Sequence, residues 1–461
     1  MNQRKHIVAL CAAVLAAACS DATQPTAPVA LSPTAPASSI SFPGHGEKYV
    51  AIGTSISMGW ASNGAYFGSQ VFAWPELLSF GQLHPISLPL IQSPGCESPY
   101  AAPLGNGKRL SGESLPADGT SCAPNVGGVT LPTQNVALAG AYASDALQTR
   151  PGDPKSHPWY GRVLPPGATQ VSAALSQNPT LLSVELGGND ILNTTSGLVF
   201  PNVTFTPFPQ FENDLDAVLD AVGGDHRKVL VAGMSVDGTN LPSLRRGSEI
   251  WADAAEFAAL HVNVSSDCQN SPNYINVSLK SLIVVFTAAV TSTNQPFSCA
   301  DAPGTLDFVL TPADIATLNG RLAQMRDHAK QQAARRGYAF FSIGALYDRP
   351  DLKPKTYSVI SQLTSSMPYG PYISLDGVHP SPLGQGVLAL AAAGALNQTY
   401  HSIAAHTIAA TPSFAEQLVE PVLPAMSLEW AKRVAKDHRA DQVPVCPMPG
   451  GCFVGAARQE R

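Results

Sequence analysis

Residues 49–57 read Tyr49-Val-Ala-Ile-Gly53-Thr54-Ser55-Ile56-Ser57, an apolar run that ends on Gly-Thr-Ser-Ile-Ser. A short apolar run bounded by a turn signal reads as a buried strand. Gly-x-Ser at its end places a small hydroxyl at the mouth of a sheet, and on open α/β sheets active sites sit at the carboxyl ends of the strands. Alone, the pentapeptide fits a plain strand-to-turn junction as well as a nucleophile. The rest of the chain separates the two.

Three further runs have the same strand character: Thr180-Leu-Leu-Ser-Val-Glu-Leu186, Lys228-Val-Leu-Val-Ala-Gly233 and Tyr338-Ala-Phe-Phe-Ser-Ile343. Helical patterns lie between and around them. One begins at about Gln70, with Phe72, Trp74, Leu77 and Leu78 on its apolar face; others cover Gln170–Ser176 and Phe211–Val222. The best marked has Thr311 as N-cap, Pro312 at its first position and Asp314 in its first turn; Ile315, Leu318, Leu322 and Met325 follow at helical spacing. Arg335 and Arg336 then precede a terminating Gly337. Pro382–Ala404 is an Ala/Leu-rich helix. Strand, helix and strand at this rhythm predict a flavodoxin-like, doubly wound parallel sheet with helices on both faces and long loop insertions. Residues 92–134 form a long Gly/Pro/Ser-rich loop, and residues 243–310 break the rhythm as an insertion. The apolar piece Leu282–Val290 within it reads either as part of a lid or substrate wall, or as one more buried strand.

The 461 residues are 44% hydrophobic and 13% charged, with 38 Gly and 40 Pro, a composition suited to an extracytoplasmic protein with many ordered loops. The net charge of −6, about −8 once Arg4 and Lys5 are removed, shows no basic stripe and argues against nucleic acid as a partner. Arg4 and Lys5 precede an apolar stretch, Ile7–Ala18, too short to span a bilayer, so residues 1–19 read as a signal peptide. Its end, Leu15-Ala-Ala-Ala-Cys19, resembles a lipoprotein cleavage box that would make Cys19 the lipidated first residue. Ordinary cleavage in the Ala run, giving a secreted or periplasmic protein, is the alternative. The expected location is thus the bacterial cell envelope, with membrane attachment only through a lipid at Cys19. Residues 20–45 read as a tether, 46–404 as the folded domain and 405–461 as a C-terminal extension. An oxidising compartment makes disulfides plausible, and sequence neighbours suggest Cys96–Cys122, Cys268–Cys299 and Cys446–Cys452 among fifteen possible connectivities. No metal or other cofactor is expected, because the Cys and His spacings form no compact ligand cluster.

Four pieces stand in order: Gly53-Thr54-Ser55, Gly140, Gly187-Gly188-Asn189-Asp190 and Asp376-Gly377-Val378-His379. Together they resemble the four blocks of the SGNH/GDSL hydrolases, a family of esterases and lipases, across roughly residues 47–400. The resemblance implies a carboxylic ester hydrolase with Ser55 as nucleophile, His379 as base and Asp376 as the carboxylate that orients it. Ester hydrolysis needs an activated hydroxyl, a base that titrates near neutral pH, and donors for the oxyanion. Backbone N–H groups of Ser55 and Gly140 and the side-chain amide of Asn189 are the expected oxyanion hole; an Asx turn is the competing reading of Asn189. Asp190 reads as a tie for the loop after the strand. The family usually has Asp where this chain has Thr54, which changes the hydrogen bonding beside the nucleophile. Trp60, Tyr66 and Phe67, just after Ser55, either contact substrate or pack over the sheet edge. The expected partner is a small-molecule or lipid ester; a carbohydrate acetylesterase and a non-catalytic binding lipoprotein are the other readings of the same motifs.

Overall fold

The structure, a computed structural model, describes residues 47–81, 85–115, 119, 121–192, 196–199, 203–224 and 226–400. The leader with Cys19, the 20–45 tether, and the 405–461 extension with Cys446 and Cys452 lie outside them. The strands are β1 (Tyr49–Gly53), β2 (Leu181–Glu185), β3 (Lys228–Gly233), β4 (Leu244–Arg246), β5 (Val262–Val264), β6 (Tyr274–Asn276), β7 (Gln295–Phe297), β8 (Val309–Leu310) and β9 (Ala339–Ser342). The helices that matter to the site are α1 (Ser55–Met58), α2 (Trp74–Gly81), α3 (Gln170–Leu175), α4 (Asn189–Leu192), α5 (Phe208–Val222), α6 (Lys280–Thr291), α7 (Pro312–Arg336) and α8 (Pro382–Tyr400).

The central sheet runs β1-β2-β3-β9, every pair parallel. β1 and β2 are buried along their whole length, as strands covered on both faces must be. A further segment extends the β1 edge: Ala51 N–H donates to Gln134 O at 2.8 Å, while Val136 and Leu138 donate to Ala51 O and Gly53 O, each at 2.9 Å. With that segment counted, the spatial order is 2-1-3-4-5 in chain sequence, the flavodoxin-like order. Its switch point falls between β1 and β2, where ligands bind in such sheets. Helices α3, α5 and α7 pack on one face and α2 and α8 on the other.

Local signals explain most element ends. Thr311 caps α7 by accepting from Asp314 N–H, and Asp314 answers the Thr311 N–H. Gly337 closes the helix in the left-handed region at φ +69°. The helix expected from about Gln70 begins instead at Trp74, after a separate turn at Phe67–Gln70. Pro75 is the cause, since its missing N–H and fixed φ suit the first turn of a helix and not its interior.

The 243–310 insertion holds a three-stranded antiparallel sheet, β4-β6-β8, and a parallel pair, β5-β7. Leu282–Val290 is not a strand: it lies within α6. Ser281, Leu282, Val285 and Ala288 are its buried residues, a helical spacing, whereas Val290 is 85% exposed. Eight apolar residues in nine, interrupted only by Thr287 and several of them β-branched, hide that period from a reading by composition. Disulfides Cys96–Cys122 and Cys268–Cys299 are formed as expected, the first stapling the long loop and the second the insertion. Among the described residues no helix is long and apolar enough to cross a membrane.

Candidate active site

β1 delivers the chain to Ser55, the first residue of α1, with Thr54 as an extended N-cap. The turn is held from below by the Glu185 carboxylate at the end of β2, which the strand register sets beside Gly53. Glu185 accepts from Thr54 N–H at 3.0 Å, from the Thr54 hydroxyl at 2.9 Å, from Ser57 N–H at 3.3 Å and from the Ser57 hydroxyl at 2.9 Å. Burial pushes the Glu185 carboxyl up, and these donors act in the opposite direction without cancelling it. Three amides complete the frame. Gln170 accepts from Gly53 N–H at 3.1 Å, Asn135 donates to Ser57 O at 2.8 Å, and Gln385 of α8 donates to Ile56 O at 3.0 Å. Thr54 therefore occupies a position already facing a carboxylate, where an Asp would meet a second negative charge.

His379 arrives from the loop before α8. Its Nε2 lies 2.9 Å from Ser55 Oγ and its Nδ1 lies 2.8 Å from Asp376 Oδ2. Asp376 also accepts from the backbone N–H groups of Val378 and His379, each at 2.9 Å, and from Asn63 N–H at 2.7 Å. Burial would raise its pKa, but the adjacent His379 charge and these hydrogen bonds outweigh burial and hold the carboxyl below the usual Asp range. Between them Gly377 adopts φ +75°, and a Cβ there would sit 2.8 Å from Ser243 Cβ, so the Asp-x-x-His turn requires glycine at that step.

Across the switch point, Asn189 opens α4 and donates to Ala141 O at 2.8 Å. An amide has two N–H donors, and the bond to Ala141 uses one of them. Asp190 accepts from Ala143 N–H at 3.1 Å, and Trp159 donates to Ala139 O at 2.8 Å. The turn around Gly140 is thus clamped to the end of β2. Gly140 itself has φ +80°, and a Cβ there would come within 2.9 Å of His157 Nε2. Burial, aided by repulsion from Asp214 and Asp145, pushes the Asp190 carboxyl up to about 6.

The aromatics of the 60–67 loop sit elsewhere. Trp60 and Phe67 are buried, Trp60 against Trp159 at 4.8 Å between ring centroids, and Tyr66 packs on the same core; none lines either cavity that reaches His379. Of the two readings of these rings, contact with substrate and packing over the sheet edge, packing describes where they lie, since large apolar rings gain by leaving water. What the loop does supply is main chain. Ser62 N–H donates to Ser374 Oγ at 2.8 Å, and Asn63 N–H reaches Asp376. Both residues take left-handed φ, +55° and +56°. That contribution has no side-chain signature and was invisible to motif reading. Glu185 was equally hidden, as one carboxylate inside an apolar run.

The chain belongs to the GDSL-like Lipase/Acylhydrolase family, whose sequence model matches residues 49–392. No curated protein matches it. Among solved structures it is similar to an acetyl xylan esterase from Geobacillus stearothermophilus at 13% identity, covering 76% of this chain and 93% of that one with a TM-score of 0.32. It is also similar to phospholipase A1 from Streptomyces albidoflavus NA297, at 15% identity, 77% and 99% coverage and a TM-score of 0.31. For the extracellular lipase of Streptomyces rimosus the values are 16%, 76%, 98% and 0.32.

The Glu185 hub makes Thr54→Asp destabilising, by about 3 kcal/mol at pH 8, since it sets a second buried carboxylate against the first. Adding Glu185→Gln should relieve that loss. Urea denaturation of the two single variants and the double variant measures it, and additive effects would show that the two positions do not interact. Asp190 gives a pH signature. Its folded pKa, about 6, exceeds the unfolded value of about 3.9, so the group's ionisation lowers stability as pH rises from about 4 to about 6. In Asp190→Asn the fall in melting temperature between pH 4.5 and pH 7 should shrink; an unchanged fall would place the titration in other groups.

Proposed function

We propose that this GDSL-like lipase/acylhydrolase hydrolyses carboxylic esters through an acyl-enzyme on Ser55. The observation that carries the reading is the continuous chain of hydrogen bonds from Ser55 Oγ through His379 to Asp376. Ser55 Oγ attacks the ester carbonyl carbon and its proton passes to His379 Nε2. Asp376, bonded to Nδ1, holds the imidazole in the tautomer that can accept that proton and stabilises the imidazolium. The carbonyl oxygen becomes an oxyanion facing the Ser55 and Gly140 N–H groups and the Asn189 amide. The carbon–oxygen bond to the alcohol then breaks, and His379 returns the proton to the departing alkoxide. Water attacks the acyl-Ser55, loses a proton to His379, and the acid leaves as Ser55 Oγ is reprotonated.

The position of Ser55 supports this assignment. As the first residue of α1 its N–H is one of the donors that a helix start leaves without an intrahelical acceptor. Asn189 approaches from the turn that follows the neighbouring strand, across the switch point.

We also infer export. The leader pattern around Arg4, Lys5 and Ile7–Ala18 supports it, and the two disulfides fit an oxidising compartment. Lipidation at Cys19 predicts that the mature protein fractionates with membranes and that Cys19→Ala releases it; a native protein recovered wholly in the soluble fraction would leave secretion as the route.

Ser55→Ala should lose about 10,000-fold or more in kcat on a short p-nitrophenyl ester, together with its labelling by a fluorophosphonate probe. His379→Ala should fall comparably with its fold intact by circular dichroism. Asn189→Ala should lose about 100- to 1000-fold in kcat with little change in KM. Retained turnover in His379→Ala would exclude it as the base.

A further inference from the structure

Two cavities meet at His379 and differ in kind. One, of about 100 Å³, has Ser55 and Asn189 on its wall and continues between Ile191, Met234, Leu241, Leu318, Leu322 and Ile343. The other, of about 650 Å³, includes Asp376 and His379 but not Ser55. Its wall carries polar groups of Asn63, Tyr100, Thr204 and Ser278, and the exposed aliphatic side chains of Val203 and Leu306, 79% and 65% exposed.

We infer that the narrow cavity holds the acyl chain and the wide one the alcohol, which makes the substrate class aliphatic acyl esters of a bulky alcohol, with chains longer than acetyl. This rests on the acyl-enzyme reading above and deepens it. The geometry of the tetrahedral intermediate assigns the sides. Its carbon bears the Ser55 oxygen, the oxyanion, the leaving oxygen and the acyl carbon. The leaving oxygen must take its proton from His379 Nε2, so the alcohol lies on the side that His379 opens without Ser55. The oxyanion is held at Ser55, Gly140 and Asn189. The remaining substituent enters the cavity that starts at Ser55 and Asn189, whose wall is mostly aliphatic, with Ser235 and Asp237 as its polar members beyond them.

That wall is built from rigid elements. Leu318 and Leu322 stand one turn apart on α7, the helix capped by Thr311. Opposite them, Gly238 has no side chain, and a Cβ there would approach Leu318 Cδ2 to 2.9 Å. Leu318 therefore lies directly against the Gly238 main chain, and a Cβ at 238 would displace Leu318. A polar sugar acetate would leave the narrow cavity empty, while each methylene removed from water there gains about fourfold in kcat/KM, the equivalent of about 0.8 kcal/mol.

A series of p-nitrophenyl esters from acetyl to decanoyl, assayed on the native protein, tests the assignment. The ratio of kcat/KM for hexanoyl over acetyl should be at least ~10, below the full fourfold-per-methylene limit. Leu241→Trp should drive that ratio toward one, and Gly238→Ala should lower it in the same direction. The second variant supplies the readout should the first fail to fold. Val203→Ser, on the wide side, should leave the acyl ratio alone and change the preference between two alcohols carrying one acyl chain. A flat series in the native protein, or a ratio that neither narrow-side variant moves, overturns the inference while turnover of the acetyl ester keeps the Ser55 mechanism standing. No turnover of any ester by folded protein, with Ser55 unlabelled by fluorophosphonate, overturns the underlying mechanism and this inference with it.

Discussion

The interaction on which the site depends is made by the buried Glu185 carboxylate beneath the Ser55 turn. Glu185 gathers the N–H and hydroxyl groups of both Thr54 and Ser57, the residues that bracket the Ser55 turn. A strand that ends in a sharp turn leaves several backbone donors without partners, and a buried donor left unpaired costs roughly 1–3 kcal/mol. One side chain from the neighbouring strand meets them together. Its cost is desolvation, visible as the raised Glu185 pKa, and the surrounding hydroxyls offset part of it. Thr at position 54 is the residue that suits this arrangement, since it donates where an Asp would only repel.

The sheet order explains why so few elements are needed. At the switch point between β1 and β2 the connections leave in opposite directions, so the turns after both strands open into one crevice. Ser55 follows β1 and Asn189 follows β2, and the edge segment beside β1 leads into the Gly140 turn. Only the Asp376–His379 pair comes from beyond the sheet, on a loop whose path is set by Gly377, by Asn63 and by the start of α8.

Much of this was legible in the residues. The parallel strands announced themselves as short apolar runs, α7 by its cap and spacing, Ser55 and Asn189 by their place after two of those runs, and Asp376 and His379 by the Asp-x-x-His motif. The ambiguities have a common cause. Leu282–Val290 is so uniformly apolar that helix and strand periods cannot be told apart in it, and burial alone decided between them. Trp60, Tyr66 and Phe67 were ambiguous because residue type does not say which way a loop turns its rings. Glu185 and the Asn63 N–H left no trace at all. The first was one acidic residue in a strand pattern, and the second was main chain, which every residue possesses.

The separation of the Ser55–His379 pair along the polypeptide has a consequence for biosynthesis. The two residues are 324 positions apart, and the Asn63–Asp376 bond spans 313. A ribosome therefore releases Ser55 long before His379. Until the 374–379 loop docks, the hydroxyl is that of an ordinary serine. The Ser55–His379–Asp376 hydrogen-bond chain therefore cannot form until nearly the whole domain has been synthesised.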